Sequence, residues 1–193
     1  MNKKDEILNV VLSLLSNLDN KPLSISFVAK EVGIGKSTIY EYFDKKDDLI
    51  VGAVELMIRR NTKSVLEIEH FDSMTFKQAF ILHFKKLLEV SKSNEMMQNY
   101  IYHPDISMLA SDKKHDLMQK MHDTFEKIKK RLNEILEKGM NEGLLNKHIT
   151  VTRKQTIEST IFGALLAISD PFNQWDEETM VNDVYESVVL LHQ

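Results

Sequence analysis

The chain has 193 residues, of which 42% are hydrophobic and 28% charged, and its formal net charge is -4 at pH 7. A chain of this length can bury a substantial core, and its content of only 6 Gly and 3 Pro favours helices over short strands joined by turns. Because there is no Cys, disulfides, thiol catalysis and cysteine-ligated metal centres are excluded. The N-terminus mixes charges of both signs and no apolar run reaches membrane length, so we predict a cytoplasmic protein without a signal peptide or membrane span.

An amphipathic helix is predicted from about Lys4 to Leu18. Its apolar residues recur every three or four positions and form the stripe Ile7, Val10, Val11, Leu14, Leu15 and Leu18. The Asp-Asn-Lys-Pro sequence at 19–22 then favours a turn, because Asn and Asp stabilise turns and Pro disfavours helix at the residue before it. The stripe is therefore expected to pack into a core with the helices that follow.

A second, shorter helix is predicted after this turn. Its buried side is formed by three apolar residues, Val28, Ala29 and Val32. Either Ser24 or Ser26 can cap its first turn with a side-chain oxygen. Gly33 follows the helix, at the point where a chain leaves through the left-handed conformation that Gly adopts without strain. The pattern predicts a helix that ends in a tight turn.

A third helix is predicted beyond the turn. Ser37 or Thr38 offers it an N-cap, and Ile39 and Phe43, at i and i+4, supply one apolar side. Its other side is polar and aromatic and is expected to project outward, with Lys36, Ser37, Tyr40, Glu41 and Tyr42. Such a helix suits a DNA major groove, where side chains meet base edges and phosphates. The two helices and their turn therefore predict a helix-turn-helix.

Residues 29–49, AKEVGIGKSTIYEYFDKKDDL, resemble the signature of the TetR family of transcriptional regulators. They contain the Ala, the Gly of the turn, the Thr-x-Tyr-x-Tyr-Phe of the recognition helix and the following Lys-x-x-Leu. The resemblance implies an all-α, TetR-like homodimer. Its expected parts are a three-helix DNA-binding head at residues 1–48 and a larger helical body for effector binding and dimerisation at 49–193.

The resemblance also implies which residues contact DNA: Ser24, Ser26, Lys36, Ser37, Thr38, Tyr40, Glu41, Tyr42 and Lys46. Lys46 matches the lysine with which the family contacts a phosphate. Glu41 falls at a position facing the bases, where it either accepts a hydrogen bond from cytosine N4 or pairs with Lys45 on the helix surface. Residues 1–48 hold seven Lys and eight acidic residues. Phosphates must therefore be met by a few positioned groups, because there is no broad basic surface.

Gly35, Lys36 and Ser37 also read as the end of a Walker A loop, which would indicate a nucleotide-binding enzyme. The complete motif fails, because its first Gly would fall at Lys30 and because residues 27–32 predict a helix where a buried strand should precede the loop. Residues 165–170, LLAISD, are a poor Walker B because a Ser precedes the Asp. We therefore treat the nucleotide-binding enzyme as an alternative to the DNA-binding reading.

Further helices are predicted along the body. The first begins near residues 44–45, with either Lys45 or Asp44 as its cap, and Asp47 and Asp48 stabilise the positive end of its dipole. It extends to about Glu67. The others span about 75–91, 112–140, 152–169 and 177–191, with a shorter and less regular segment at 94–102. Gly139 and Gly143 are expected to end the helix over 112–140.

Aromatic and Met side chains of the body predict a pocket for a small apolar or aromatic effector. The candidate lining residues are Phe80, Phe84, Met97, Tyr100, Met118, Met121 and Phe125. Met adapts to varied ligands, and a Tyr hydroxyl adds a polar contact. Core packing alone would explain most of these residues equally well.

The last two predicted helices carry apolar residues on more than one side. The main stripes can complete the core of a monomer, whereas the off-stripe residues Phe162, Leu166 and Tyr185 indicate burial against another subunit. The predicted dimer interface comprises Ile161, Phe162, Leu165, Leu166, Val184, Tyr185 and Val188.

Neither a catalytic nor a metal-binding set is apparent. His115 and His122 are at i and i+7, whereas metal-binding helices place two His at i and i+4, and no Ser or Thr lies in a nucleophile motif. We therefore predict no enzyme activity, no metal and no cofactor. The leading hypothesis is a repressor released from a palindromic DNA operator by a small effector. A helical interaction protein with an unused DNA-binding head is a further alternative.

Overall fold

The computed structural model describes residues 2–16, 21–93, 103–169 and 175–192, and every regular element within these ranges is helical. The helices are α1 (Lys3–Leu15), α2 (Ile25–Val32), α3 (Lys36–Tyr42), α4 (Lys46–Leu66), α5 (Phe76–Ser93), α6 (Pro104–Ser107), α7 (Ser111–Asn141), α8 (Val151–Ser169) and α9 (Glu177–His192), with a 3-10 turn at Phe71–Ser73. The all-α fold predicted from the sequence is confirmed.

The chain forms two compact units. Unit 1 comprises Met1–Asn61 and Asn94–Thr124, and unit 2 comprises Thr62–Ser93 and Phe125–Gln193. The long helices α4 and α7 each contribute residues to both units. The functional boundary predicted between residues 48 and 49 stays a prediction.

The core of unit 1 is built by α1, α2 and α3 with the first turns of α4 and residues of α6 and α7. Its most buried members include Ile7, Val11, Leu15, Val28, Ile39, Leu49, Ile50 and Ala53. In α1, the buried side consists of Ile7, Leu8, Val11, Leu12 and Leu15. Val10 and Leu14, which were predicted in the stripe, are only partly buried. The predicted last residue of that stripe, Leu18, lies outside the described residues.

The core of unit 2 is built by α5, the C-terminal half of α7, α8 and α9. Three aromatic rings at one side of α5, those of Phe76, Phe80 and Phe84, are fully buried in it. The start of α5 is fixed by a reciprocal cap: Gln78 N–H donates to Thr75 Oγ1 and Thr75 N–H donates to Gln78 Oε1.

Several helix ends differ from the predicted ones. Helix α4 begins after Lys45, whose N–H donates to Asp48 Oδ2 at 3.0 Å, so the cap is Lys45 and not Asp44. Gly139 lies inside α7 and does not end it. A β-carbon at this position would come within 2.7 Å of Leu145 Cδ1, so Gly allows the close packing of Leu145. Gly143, with φ of +74°, forms the turn after α7. The segment predicted at 94–102 lies outside the described residues.

Candidate nucleic-acid interface

The turn between α2 and α3 has the geometry that a helix-turn-helix requires. Gly33 is left-handed, with φ of +73°, and Ile34 N–H donates to Ala29 C=O at 2.9 Å, which closes the end of α2. Gly35 is extended and is the N-cap of α3. The chain thus leaves one helix and starts the next within three residues, Gly33 to Gly35.

The predicted side-chain caps of these helices are wrong. Ser24 occupies the N-cap position of α2, but its side chain makes no capping hydrogen bond, and Ser26 lies within the helix. Ser37 and Thr38 lie within the first turn of α3, because Gly35, which is also tolerated at an N-cap, takes that position. All four side chains are therefore available to roles other than capping.

Helix α3 separates its side chains as expected for a recognition helix. Ile39 and the following Phe43 are buried in the core of unit 1. The predicted outward residues Lys36, Ser37, Tyr40, Glu41 and Tyr42 are all exposed, as are Ser24 and Ser26, whereas Thr38 is half-buried. Phe27 on α2 is also exposed and was not predicted as a surface residue. Its position directly before Val28, and so outside the buried stripe, is the sequence signal that indicates this exposure.

The start of α4 contains two ion pairs. Lys113 Nζ lies 2.5 Å from Asp48 Oδ1, and this hydrogen bond, followed by the charge of Lys113, holds the pKa of the Asp48 carboxyl below its usual value. Lys46 Nζ lies 2.5 Å from Oδ1 of Asp105, a residue of α6. Asp105 is the residue of this region that sequence reasoning missed, since it is separated from Lys46 by 59 positions.

Sequence comparison addresses the same part of the chain. Residues 20–53 match the family model described as bacterial regulatory proteins of the tetR family. This segment spans α2, the turn, α3 and the start of α4. The helix-turn-helix of this chain is therefore similar to that of a TetR-family DNA-binding domain. No curated protein sequence matches the chain significantly.

Comparison of the whole fold gives related results. A TetR transcription regulator from Haloarcula marismortui has a TM-score of 0.73 at 18% identity, with 99% of this chain and 98% of that chain covered. The fatty acid degradation regulator FadR from Bacillus halodurans has a TM-score of 0.69 at 16% identity, with 100% and 98% covered. FadR from Bacillus subtilis, solved with stearoyl-CoA, has a TM-score of 0.62 at 20% identity, with 96% and 97% covered. At these identities the likeness shows the TetR-like fold.

The similarity to a TetR-family domain leaves little support for the nucleotide-binding alternative. Residues 27–32, which would have to lie on the strand before a Walker A loop, lie within α2. Gly35, Lys36 and Ser37 form the N-cap and first turn of α3. Among the described residues there is also no group of three or more His, Asp or Glu able to hold a metal ion, and no helix long and apolar enough to cross a membrane.

The predicted effector residues do not come together around one described cavity. Phe80 and Phe84 are fully buried in the core of unit 2. Met118 and Phe125 are exposed on α7, and Met121 is half-buried. Met97 and Tyr100 lie outside the described residues. The pocket assignment therefore stays a prediction, and the described members of the set divide between core and surface.

The predicted dimer residues also divide. Ile161, Val184 and Val188 belong to the buried core of unit 2, and Leu165 is packed partly against it. The interpretation of Tyr185 as an off-stripe residue is wrong: its ring centroid is 5.5 Å from that of Phe76 and 5.7 Å from that of Phe80, so it completes the core. Phe162 and Leu166 are 53% and 49% exposed. Only these two of the seven form an exposed apolar pair, one helical turn apart on α8.

Glu41 is exposed on α3 and has no ion-pair partner among the described residues, so the alternative pairing with Lys45 is not formed. It lines an open cleft of about 300 Å³ together with three other acidic residues, Asp44, Asp48 and Glu55. Lys4 is the basic residue of the cleft lining. A carboxylate without a partner on a DNA-facing helix is repelled by phosphates unless a base edge compensates it. Base readout by Glu41 therefore stays a prediction, and simple repulsion of phosphates is its alternative.

We expect Glu41→Gln to change the base preference at one position of the DNA half-site. Gln keeps the shape and one acceptor oxygen but loses the charge that strengthens a hydrogen bond from cytosine N4, so the preference should fall by about 1 to 3 kcal/mol at that step. The measurement is a binding profile against all single-base variants of a half-site, with Glu31→Gln on α2 as a charge-matched control. A uniform gain in affinity with unchanged preference would show that Glu41 only repels phosphates.

Proposed function

We propose that the protein is a homodimeric transcriptional repressor that binds a palindromic operator and is released by a small apolar or aromatic effector. The observation that carries this proposal is the exposed polar and aromatic side of α3 within a TetR-family DNA-binding domain. This function would require the cytoplasmic location that we predict from the sequence.

DNA recognition would be shared by two copies of α3. In a two-fold dimer the recognition helices enter successive major grooves about 34 to 36 Å apart, the spacing of one DNA turn. Lys36 is exposed at the start of α3, where its ammonium can contact a phosphate. Tyr40 and Tyr42 are both exposed on α3, where their hydroxyls could contact phosphates or base edges.

Dimerisation would rest on α8 and α9. Phe162 and Leu166 are exposed on α8, and Gly163 lies between them with nothing within 4 Å of the place of a β-carbon. A helix side with two large apolar residues around a glycine lets a second helix approach closely. The same surface on the other copy would complete a self-complementary interface.

Release by an effector would follow from a two-state equilibrium. A ligand that binds the conformer with the wrong spacing of recognition helices lowers the affinity for DNA, and DNA must lower the affinity for that ligand by the same factor. Support for an apolar effector comes from FadR of Bacillus subtilis, a protein of similar fold solved with stearoyl-CoA. Its acyl chain is the kind of ligand that the Met and Phe residues of this body would accept.

The test is a mobility-shift titration with palindromic duplexes from the DNA upstream of the protein's own coding region. We expect salt-sensitive, sequence-dependent binding that Tyr40→Ala weakens and that Trp175→Ala, an exposed aromatic substitution in unit 2, leaves unchanged. Acyl and aromatic compounds are then screened for release of the complex. Absence of any salt-sensitive DNA binding by folded protein would contradict the proposal and favour a helical interaction protein.

A further inference from the structure

A buried carboxylate lies beside the helix-turn-helix of unit 1. Asp105, in α6, is only 8% exposed, and each of its two oxygens has a partner. Oδ2 accepts a hydrogen bond from Leu23 N–H at 2.5 Å, and Oδ1 contacts Lys46 Nζ at 2.5 Å. We name Asp105, Lys46 and the N–H of Leu23 the Asp105 clamp.

The clamp is fixed by its surroundings. Pro104 begins α6, His103 Nδ1 accepts from Asp105 N–H at 3.2 Å, and Leu109 is buried in the core of unit 1 with Ile106 packed against it. The carboxylate therefore cannot turn away to solvent without disrupting this packing. Its partners precede α2 and begin α4, the helices on either side of the recognition helix α3.

The clamp changes the charge that Lys46 offers to DNA. The Lys46 side chain is 34% exposed while its ammonium contacts Asp105. An ammonium has three N–H groups, and those not used by Asp105 remain for a phosphate. A carboxylate at 2.5 Å cancels much of the attraction that the ammonium exerts on a phosphate at longer range.

We propose that Asp105 competes with DNA phosphate for Lys46 and thereby lowers the affinity of this protein for non-specific DNA. The inference rests on the proposed DNA-binding function, because it requires the start of α4 to face a phosphate. Non-specific binding is driven by phosphate neutralisation, whereas operator binding adds base contacts from α3. A phosphate contact carries no sequence information, so a neutralised lysine lowers the affinity for random DNA and for the operator by about the same factor. Asp105 therefore sets the general affinity for DNA and leaves the base preference to α3.

The direct test is Asp105→Asn in the full chain, measured by fluorescence anisotropy with a random duplex and with an operator duplex over a range of salt concentrations. Asn keeps the shape and an acceptor for Leu23 N–H, but it frees the charge of Lys46. We expect the affinity for random DNA to rise about fivefold to tenfold at low salt, with the slope against log salt steeper by about 0.9 for each engaged copy. The affinity for the operator should rise by a similar factor, so the ratio of operator to random affinity should stay nearly constant.

Two further variants isolate the role of Lys46. Asp105→Asn combined with Lys46→Ala should lose the whole gain, since the cation that produced it is gone. Asp47→Asn removes the same charge from the first turn of α4 without touching the clamp and should give a much smaller change. If Asp105→Asn folds poorly by circular dichroism, Asp105→Ser gives the same readout with a smaller acceptor.

Three results would overturn the proposal. The first is unchanged or weaker binding of random DNA by folded Asp105→Asn or Asp105→Ser protein. The second is a gain that persists when Lys46 is also replaced, and the third is an equal gain in Asp47→Asn. These failures leave operator binding by the wild type intact, whereas a wild type that binds no DNA at all would remove the proposed function together with this inference.

Discussion

Leu166→Glu should convert the protein from dimer to monomer without unfolding it. Leu166 is 49% exposed, so a glutamate is tolerated in an isolated subunit. In the proposed interface the same carboxylate would be desolvated without a partner, at a cost of about 3 kcal/mol or more for each copy. A loss of this size raises the dissociation constant of the dimer by about a hundredfold or more. Operator binding should then fall sharply, because one recognition helix cannot span two half-sites.

The matched control is Thr160→Glu, an equal charge placed on an exposed position of the same helix. Sedimentation velocity at a fixed protomer concentration should show monomers for Leu166→Glu and dimers for Thr160→Glu, with the same helical circular dichroism signal for both. A Leu166→Glu protein that remains dimeric would place the interface on a surface other than the Phe162–Leu166 side of α8.

The DNA-binding domain could be predicted from the sequence because its signals are local. The spacing of Val28, Ala29 and Val32 fixes one side of α2, and the glycine after them fixes the turn. The three-residue connection then leaves few ways to pack α3. Both helices and the exposed side of α3 follow from these short-range patterns, and the TetR-family match to residues 20–53 agrees with them.

The caps and the Asp105 clamp could not be predicted for two different reasons. Gly35, Ser37 and Thr38 lie within three positions and are all acceptable N-caps, so local preference does not choose between them. Asp105 is separated from Leu23 by 82 positions. Nothing in the sequence near either residue indicates that tertiary packing brings them together.

The body was the least predictable part, because an apolar pattern does not say what covers it. Phe125 continues the stripe of α7 that includes Leu117 and Leu132, yet it is exposed whereas the other two are buried. Periodicity identifies the side of a helix, but core, cavity and partner subunit all favour the same residue types. Tyr185 was assigned to a partner for this reason and packs on Phe76 instead.

Burial of one histidine of the body, His83, makes the free energy of unfolding depend on pH. His83 on α5 is 2% exposed, and neither ring nitrogen has a hydrogen-bond partner in the described parts of the chain. Burial, and secondarily the charge of Arg131, lowers the pKa of this imidazole to about 4 from an ordinary value of 6.5. Between these values the unfolded chain binds a proton that the native chain does not. The free energy of unfolding therefore falls as pH decreases from 6.5 to 4, by about 3 kcal/mol in total.

His83→Leu should stabilise the protein and remove most of this pH dependence. Leu fills a similar volume without leaving polar atoms unpaired, so the free energy of unfolding at pH 7 should rise by about 1 to 3 kcal/mol. The gain should widen toward pH 4, although a smaller dependence should persist because burial, and then the charge of Arg153, also lowers the pKa of His192. The measurement is urea unfolding at a series of pH values and one protomer concentration, with His122→Leu, which replaces an exposed imidazole, as control. Curves for His83→Leu that run parallel to the wild type from pH 7 to pH 4 would show that His83 acquires its proton within the folded protein and is not held neutral by burial.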